Sequence, residues 1–192
     1  AVIFEAVSKA LQGGASVHKV FELLEGVKTT KTLVFLVYYN LIFSYGLKKF
    51  VANAKKVGIQ GLIVPELPYE ENEELFKECQ KAHIALIPLV SVTTSEERLK
   101  KILSRASGFV YALASVGITG GNQMAHKRLE NLVKRIKKHT NLPVFAGFGI
   151  KDKSDVKECK KVADGAIVGT SVVQAFDSGD LKEVMKKVDE FF

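Results

Sequence analysis

Short apolar runs alternate with longer amphipathic stretches along the chain. The runs are TLVFLVYY (32–39), GLIVP (61–65), IALIPL (84–89), GFVYAL (108–113), LPVFAGF (142–148) and DGAIVG (164–169). They are nearly unbroken in Val, Ile, Leu and Phe, the pattern of strands buried on both faces in a parallel sheet. Stretches with a period near 3.6 separate them, at 47–57, 70–82, 95–103, 123–139, 153–161 and 180–192. Two more, near 2–11 and 16–27, precede the first run. Ser16, Ser95 and Asp152 or Ser154 stand where they can cap helix starts. The pattern predicts two helices followed by six βα units.

The interval between the fourth and fifth runs is the longest, and the excess is the glycine-bearing segment ASVGITGGNQ (114–123). Such an insertion after a strand is long enough to close over a ligand. Repeated βα units fit an open doubly wound sheet or a closed (βα)8 barrel. A barrel takes eight strands and about 250 residues. Six strands with helices in front would then be its last six βα units, together with the helices that precede them.

Composition narrows the classes. With 192 residues and 47% hydrophobic side chains the chain is expected to fold, as a single domain over 1–192. Lys and Arg number 28 against 21 Asp and Glu, a balance of +7. Nearly all of the base is lysine, scattered as pairs along amphipathic stretches (those at Lys48, Lys55, Lys100, Lys137, Lys160 and Lys186 among them), which reads as solvated helix faces rather than a nucleic-acid surface. Cys79 and Cys159 lie far apart in similar settings, FKECQK and VKECKK, and suit neither a disulfide framework nor a zinc site. His18, His83, His126 and His139 have no metal-ligand spacing, so no metal is expected. The longest apolar run, 33–43, is about half the roughly 20 residues of a membrane span. A cytoplasmic protein without a membrane segment is expected. The chain starts at Ala1 inside a helical pattern, as a fragment of a longer protein would.

Three glycine-bearing segments follow strands: GITGG (117–121), AGFGIKD (146–152) and IVGTSVVQAF (167–176). Glycine there lets backbone amides approach a ligand with no Cβ in the way. Gly169 and Thr170 open a short helix, where free amides favour an anion. Loops after the last two barrel strands, with such a helix, are the recurrent phosphate site of these barrels, which would make 114–176 the phosphate-binding half of a partial barrel. A dinucleotide fingerprint, G-x-G-x-x-G after the first strand, is missing after both Tyr39 and Pro65. That favours the barrel over the open sheet.

The segments FLVYYNLIFSYG (35–46), GIQGLIVPELPYEE (58–71), GFVYALASVGITGG (108–121), PVFAGFGI (143–150) and ADGAIVGTSVV (163–173) resemble, in order and spacing, successive parts of the tryptophan synthase alpha subunit. The resemblance covers the whole chain. It implies a (βα)8 TIM barrel that cleaves indole-3-glycerol phosphate to indole and glyceraldehyde 3-phosphate, a carbon–carbon lyase of tryptophan biosynthesis. It also implies a beta-subunit partner in an alpha2beta2 complex that receives the indole, with pyridoxal phosphate only in that partner and no cofactor in this chain. Position by position, it implies phosphate contacts at Gly120, Gly147, Gly149, Gly169 and Thr170, the last replacing the family's usual Ser. It places the substrate pocket at Leu36, Ile63, Leu89, Tyr111 and Phe148, with Thr119 in a closing loop. Pro65 stands where a small residue is common and Glu66 where the family often has Asp; subunit coupling is the expected part of Glu66.

The resemblance further implies that the family's catalytic Glu and Asp lie ahead of Ala1. Cleavage needs an acid at indole C3, a group on the indole N–H and a base for the glycerol hydroxyl, tasks for carboxylates with separated pKa values. Glu66 is the strand-end acid in the sequence, and one carboxylate cannot do both jobs. The chain by itself is therefore expected to hold the phosphate and most of the indole pocket without turning over. Alternatives are a non-catalytic module that activates a partner enzyme, or a sugar-phosphate isomerase or epimerase on the same barrel. Tyr38, Tyr39 and Asn40 read as core filling and a turn, whereas Phe43 and Tyr45 are candidates to face a partner.

Overall fold

The computed structural model describes residues 2–113, 123–147, 149–176 and 179–191, the side chains of 123–125 excepted. The opening stretches form α1 (Val2–Gln12) and α2 (Val17–Glu25), and Ser16 Oγ accepts the Lys19 N–H at the start of α2. Then come β1 (Leu33–Leu36), α3 (Tyr39–Tyr45), α4 (Leu47–Lys56), β2 (Ile59–Ile63), α5 (Glu73–Ala82), β3 (Ala85–Leu86) and β4 (Leu89–Ser91). The remainder is α6 (Glu96–Leu103), β5 (Val110–Leu113), α7 (Gln123–Lys137), β6 (Val144–Gly147), α8 (Lys153–Lys160), β7 (Gly165–Ile167), α9 (Thr170–Ala175) and α10 (Leu181–Asp189). Ser95 and Asp152 cap α6 and α8 with their side-chain oxygens, as their positions predict.

All paired strands are parallel, in the orders β1-β2-β3 and β4-β5-β6-β7. Two features depart from the six-run pattern. The run 84–89 is split into β3 and β4, giving seven strands among the described residues. Pro88 lies at the break: it has no N–H to donate to a ladder. On one side of it the Ile87 N–H bonds Leu62 O at 2.8 Å; on the other, Pro88 O accepts the Tyr111 N–H at 2.9 Å. The segment thus passes from one sheet to the next.

The run 32–39 is also shorter than its apolar character predicts. It ends as strand at Leu36, and Tyr39 begins α3. Tyr38, at the N-cap, makes no side-chain cap bond. The acceptor for the first free amide comes from elsewhere, because the Tyr39 N–H donates to Glu66 Oε1. A residue 27 positions away caps the helix.

The core has three parts. One packs α6, α7 and α8 on the second sheet around Leu99, Leu129, Leu132, Ile136 and Val144. Another gathers Phe21, Ile42, Phe50, Leu62 and Leu75 between α2–α5 and the first sheet. The third is the inner layer, Ile63, Ile87 and Tyr111 with Leu89, Leu113 and Ile167 against them. Cys79 and Cys159 are buried free thiols, and desolvation pushes them up to about 12 and about 11 respectively.

Asp164 joins the end of α7 to the start of β6. Its Oδ2 pairs with Lys137 Nζ at 2.7 Å and accepts the Val144 N–H at 2.7 Å. The Lys137 hydrogen bond, then the Val144 amide, hold its carboxyl below the ordinary value of 3.8. In the window between that depressed folded value and the unfolded one, the unfolded chain binds the extra proton. Stability therefore rises with pH there, is fully present above the unfolded value and is lost as pH falls through the folded one. Denaturant unfolding of parent and Asp164→Asn proteins should show a gap at neutral pH that closes between about pH 5 and pH 2. With the side chain 45% exposed, that gap is expected to be small.

Candidate active site

At the C-terminal ends of β5, β6 and β7 the strands deliver backbone rather than bulk. Gly147 ends β6 opposite Leu113 of β5. A Cβ at Gly147 would stand 2.4 Å from both Cε2 and Oη of Tyr111, so only glycine lets the ring lie across the strand. Two residues on, Gly149 has φ +81°, the left-handed region that glycine enters without penalty. Gly169 precedes α9 as its N-cap and Thr170 begins the helix.

These pieces surround one cavity of about 900 Å³, lined by Tyr111, Gly149, Ile167, Gly169 and Thr170. Gly147 reaches it through the Tyr111 ring. Three lysines and two glutamates also border it: Lys151 from the loop after β6, Lys186, Lys187 and Glu183 from α10, and Glu190 just after that helix. Lys187 Nζ pairs with Glu190 at 2.9 Å. The pair at 186–187 is therefore not only a solvated helix face, as its spacing in an amphipathic stretch suggests. Its role depends on where α10 docks, which no local pattern carries. Burial alone raises the Tyr111 phenol above its ordinary value of 10.0, so it stays a neutral hydrogen-bonding group.

A second cavity of about 280 Å³ lies around the loop after β2 and the β3–β4 break, bordered by Glu66, Ile87, Leu89 and Leu113 and, from the helices, by Phe76 of α5 and Arg98 of α6. Pro65 borders it as well. Side chains of the inner layer line both cavities: Tyr111 and Ile167 the larger, Ile87, Leu89 and Leu113 the smaller. Ile63, 5% exposed, is in the same inner layer. Leu36 is not brought to either cavity. It is 59% exposed at the end of β1, beside the exposed Tyr38, Leu41 and Phe43. Thr119, Gly120 and Phe148, and most of the 114–123 loop, lie outside the described residues. Among the described residues no cluster of three or more His, Cys, Asp or Glu could hold a metal ion, and no helix is long and apolar enough to cross a membrane.

Glycine-bearing strand ends and the start of α9 thus meet on one cavity, next to an apolar inner layer. Comparison with known proteins identifies the family. The sequence pattern of the tryptophan synthase alpha chain is matched over residues 1–191. The chain belongs to the tryptophan synthase alpha chain family. The alpha chain of Campylobacter jejuni is 56% identical over 191 residues, covering 100% of this chain and 77% of that relative. The solved tryptophan synthase subunit alpha from Campylobacter jejuni superposes with a TM-score of 0.95 at 55% identity, over 100% of this chain and 77% of that one. The alpha2beta2 tryptophan synthase complex of Pyrococcus furiosus matches with a TM-score of 0.85 at 28% identity, over 99% of this chain and 78% of that one. The parallel βα units are thus those of a (βα)8 barrel. The family places the chain in tryptophan biosynthesis, as a carbon–carbon lyase acting on indole-3-glycerol phosphate.

Proposed function

We propose that the chain holds indole-3-glycerol phosphate across the two cavities, the phosphate in the larger and the indole towards the smaller, with Tyr111 between. The observation that carries this is the convergence of Gly149, Gly169 and Thr170 on one cavity. A phosphate there meets backbone N–H groups without an intervening Cβ, the Thr170 hydroxyl and the charge of Lys151, Lys186 and Lys187. Gly147 contributes by leaving room for the Tyr111 ring. Ile63 and Leu89 supply apolar surface for the indole. Gly120, Thr119 and Phe148 retain the family's expected contacts as part of this proposal.

Glu66 suits coupling better than proton transfer. Its carboxylate is engaged by the Tyr39 N–H, which links the loop beside the indole cavity to α3. That helix presents Leu41 and Phe43, the latter 69% exposed, next to Leu36 and Tyr38. This apolar group is the surface we assign to the beta subunit in an alpha2beta2 assembly. The partner would carry the pyridoxal phosphate and take up the indole, in the cytoplasm, with no cofactor needed in this chain.

The test is Thr170→Val, which keeps the shape and removes the hydroxyl. Hydrogen bonds to a charged group contribute about 1.5–3 kcal/mol, so titration with sn-glycerol 3-phosphate should show affinity reduced about tenfold or more. Unchanged affinity would remove Thr170 from the phosphate site and the reading with it.

A further inference from the structure

Two residues make up the buried polar and charged set among the described ones, Asp155 at 6% and Ser171 at 9% exposure. Both act on the same peptide group. The Lys151 N–H donates to Asp155 Oδ2 at 2.8 Å, and Ser171 Oγ donates to Ile150 O at 3.4 Å. The Ile150 carbonyl and the Lys151 amide belong to one planar unit. That unit is held at one end from α8 and at the other from α9.

We propose that Asp155 and Ser171 form a peptide clamp that positions the phosphate-binding backbone; this rests on the phosphate site assigned above. The clamped peptide follows Gly149 by one residue, and Gly149 is the residue whose left-handed φ aims this loop at the cavity. Ser171 adjoins Thr170, so its bond also ties the loop after β6 to the start of α9. The two halves of the phosphate site are thereby held in one register, and amides fixed before binding lose less freedom on binding.

The charge of Asp155 argues for geometry rather than ligand contact. A carboxylate is costly to bury unless hydrogen bonds compensate it. Here the Lys151 amide does so, while Asp155 is itself set by its own N–H donating to Asp152 Oδ1 at 3.0 Å in the first turn of α8. An anion near a phosphate opposes binding, so attraction cannot be its contribution. Neutral Asn at this position can keep an acceptor for Lys151 without the repulsion.

Three substitutions in the chain test this, read by amide hydrogen exchange at Lys151 without ligand and by titration with sn-glycerol 3-phosphate. Asp155→Ala is expected to speed Lys151 exchange and weaken binding about tenfold, the equivalent of one hydrogen bond's worth of positioning. Ser171→Ala, which is the milder change should Asp155→Ala fail to fold, is expected to weaken binding severalfold. Asp155→Asn should bind within about twofold of the parent or more tightly, since geometry is rescued and charge removed. Exchange at Lys151 no faster in Asp155→Ala would overturn the clamp whatever the ligand does. Faster exchange with undiminished affinity would overturn its positioning role, and so would an Asn variant as weak as the Ala one. Thr170→Val with parental affinity, beside clamp variants that behave as expected in exchange, would locate the failure in the phosphate site instead.

Discussion

Gly147→Ala should cost more stability per atom added than any other small change near the site. The new Cβ would lie 2.4 Å from two atoms of the Tyr111 ring. The ring is 8% exposed and packed in the inner layer with Ile63 and Ile87, so it has little room to swing. Overpacking of this kind costs about 1–3 kcal/mol, and more where backbone must move. Against a total of about 5–15 kcal/mol for a domain, that is a large share. The ring borders the cavity that Gly149, Gly169 and Thr170 also line. Relief of the clash towards that cavity would push the phenol into the proposed phosphate site. Urea unfolding should show a lower midpoint at unchanged slope, and sn-glycerol 3-phosphate binding should be lost together with it. Adding Tyr111→Leu to Gly147→Ala should recover part of the stability, and a double-mutant cycle with no coupling would show that the clash is not the cause.

Phe50→Ala is the second large effect, and it acts on the other half of the chain. Phe50 is 1% exposed, with Phe21 edge-on at a centroid distance of 5.3 Å, Tyr45 at 6.0 Å and Phe35 at 6.1 Å. One side chain thus joins α2, α3, α4 and β1. Truncating a buried Phe to Ala costs about 3–5 kcal/mol, from lost transfer energy and the cavity left behind. Aromatic pairs add to that through their edge-to-face geometry. The expected result is a fall of that size in unfolding free energy, with amides of α2–α4 losing the most protection from exchange. Because α3 carries Leu41 and Phe43, affinity for the beta subunit should fall even where the phosphate site is intact. A loss below about 1 kcal/mol would mean that the rings repack without Phe50.

Much of the architecture is legible without coordinates because its causes are local. Strands buried on both faces read as unbroken apolar runs, and helices with one buried stripe read at their own period. Ser16, Ser95 and Asp152 signal helix starts by carrying oxygens within reach of amides two or three residues on. Of the candidate site, Gly149, Gly169 and Thr170 could be found from glycine-bearing turns after strands, and family segments extend the assignment to Tyr111, Ile63 and Leu89. Lys186 and Lys187 could not, since a lysine pair on an amphipathic helix looks the same facing water or a cavity. Leu36, apolar at a strand end, gives no sign of whether it points into a pocket or out towards a partner.

The alternation of strand and helix, the glycine-bearing strand ends proposed to receive a phosphate, and the family can all be read from the order of residues alone. Tertiary structure decided what depends on groups distant along the chain. The run 32–39 stops being strand because Glu66, from beyond the next strand, accepts the Tyr39 amide and starts a helix. The run 84–89 divides because Pro88 lies where the ladder passes from Leu62 to Tyr111. The Ile150–Lys151 peptide is gripped by side chains of two different helices, and Gly147 is needed because of a tyrosine on the neighbouring strand. Hydrophobic period and capping chemistry act over a few residues and are written in order along the chain; hydrogen bonds and close contacts between strand ends exist only once the sheet has set their register.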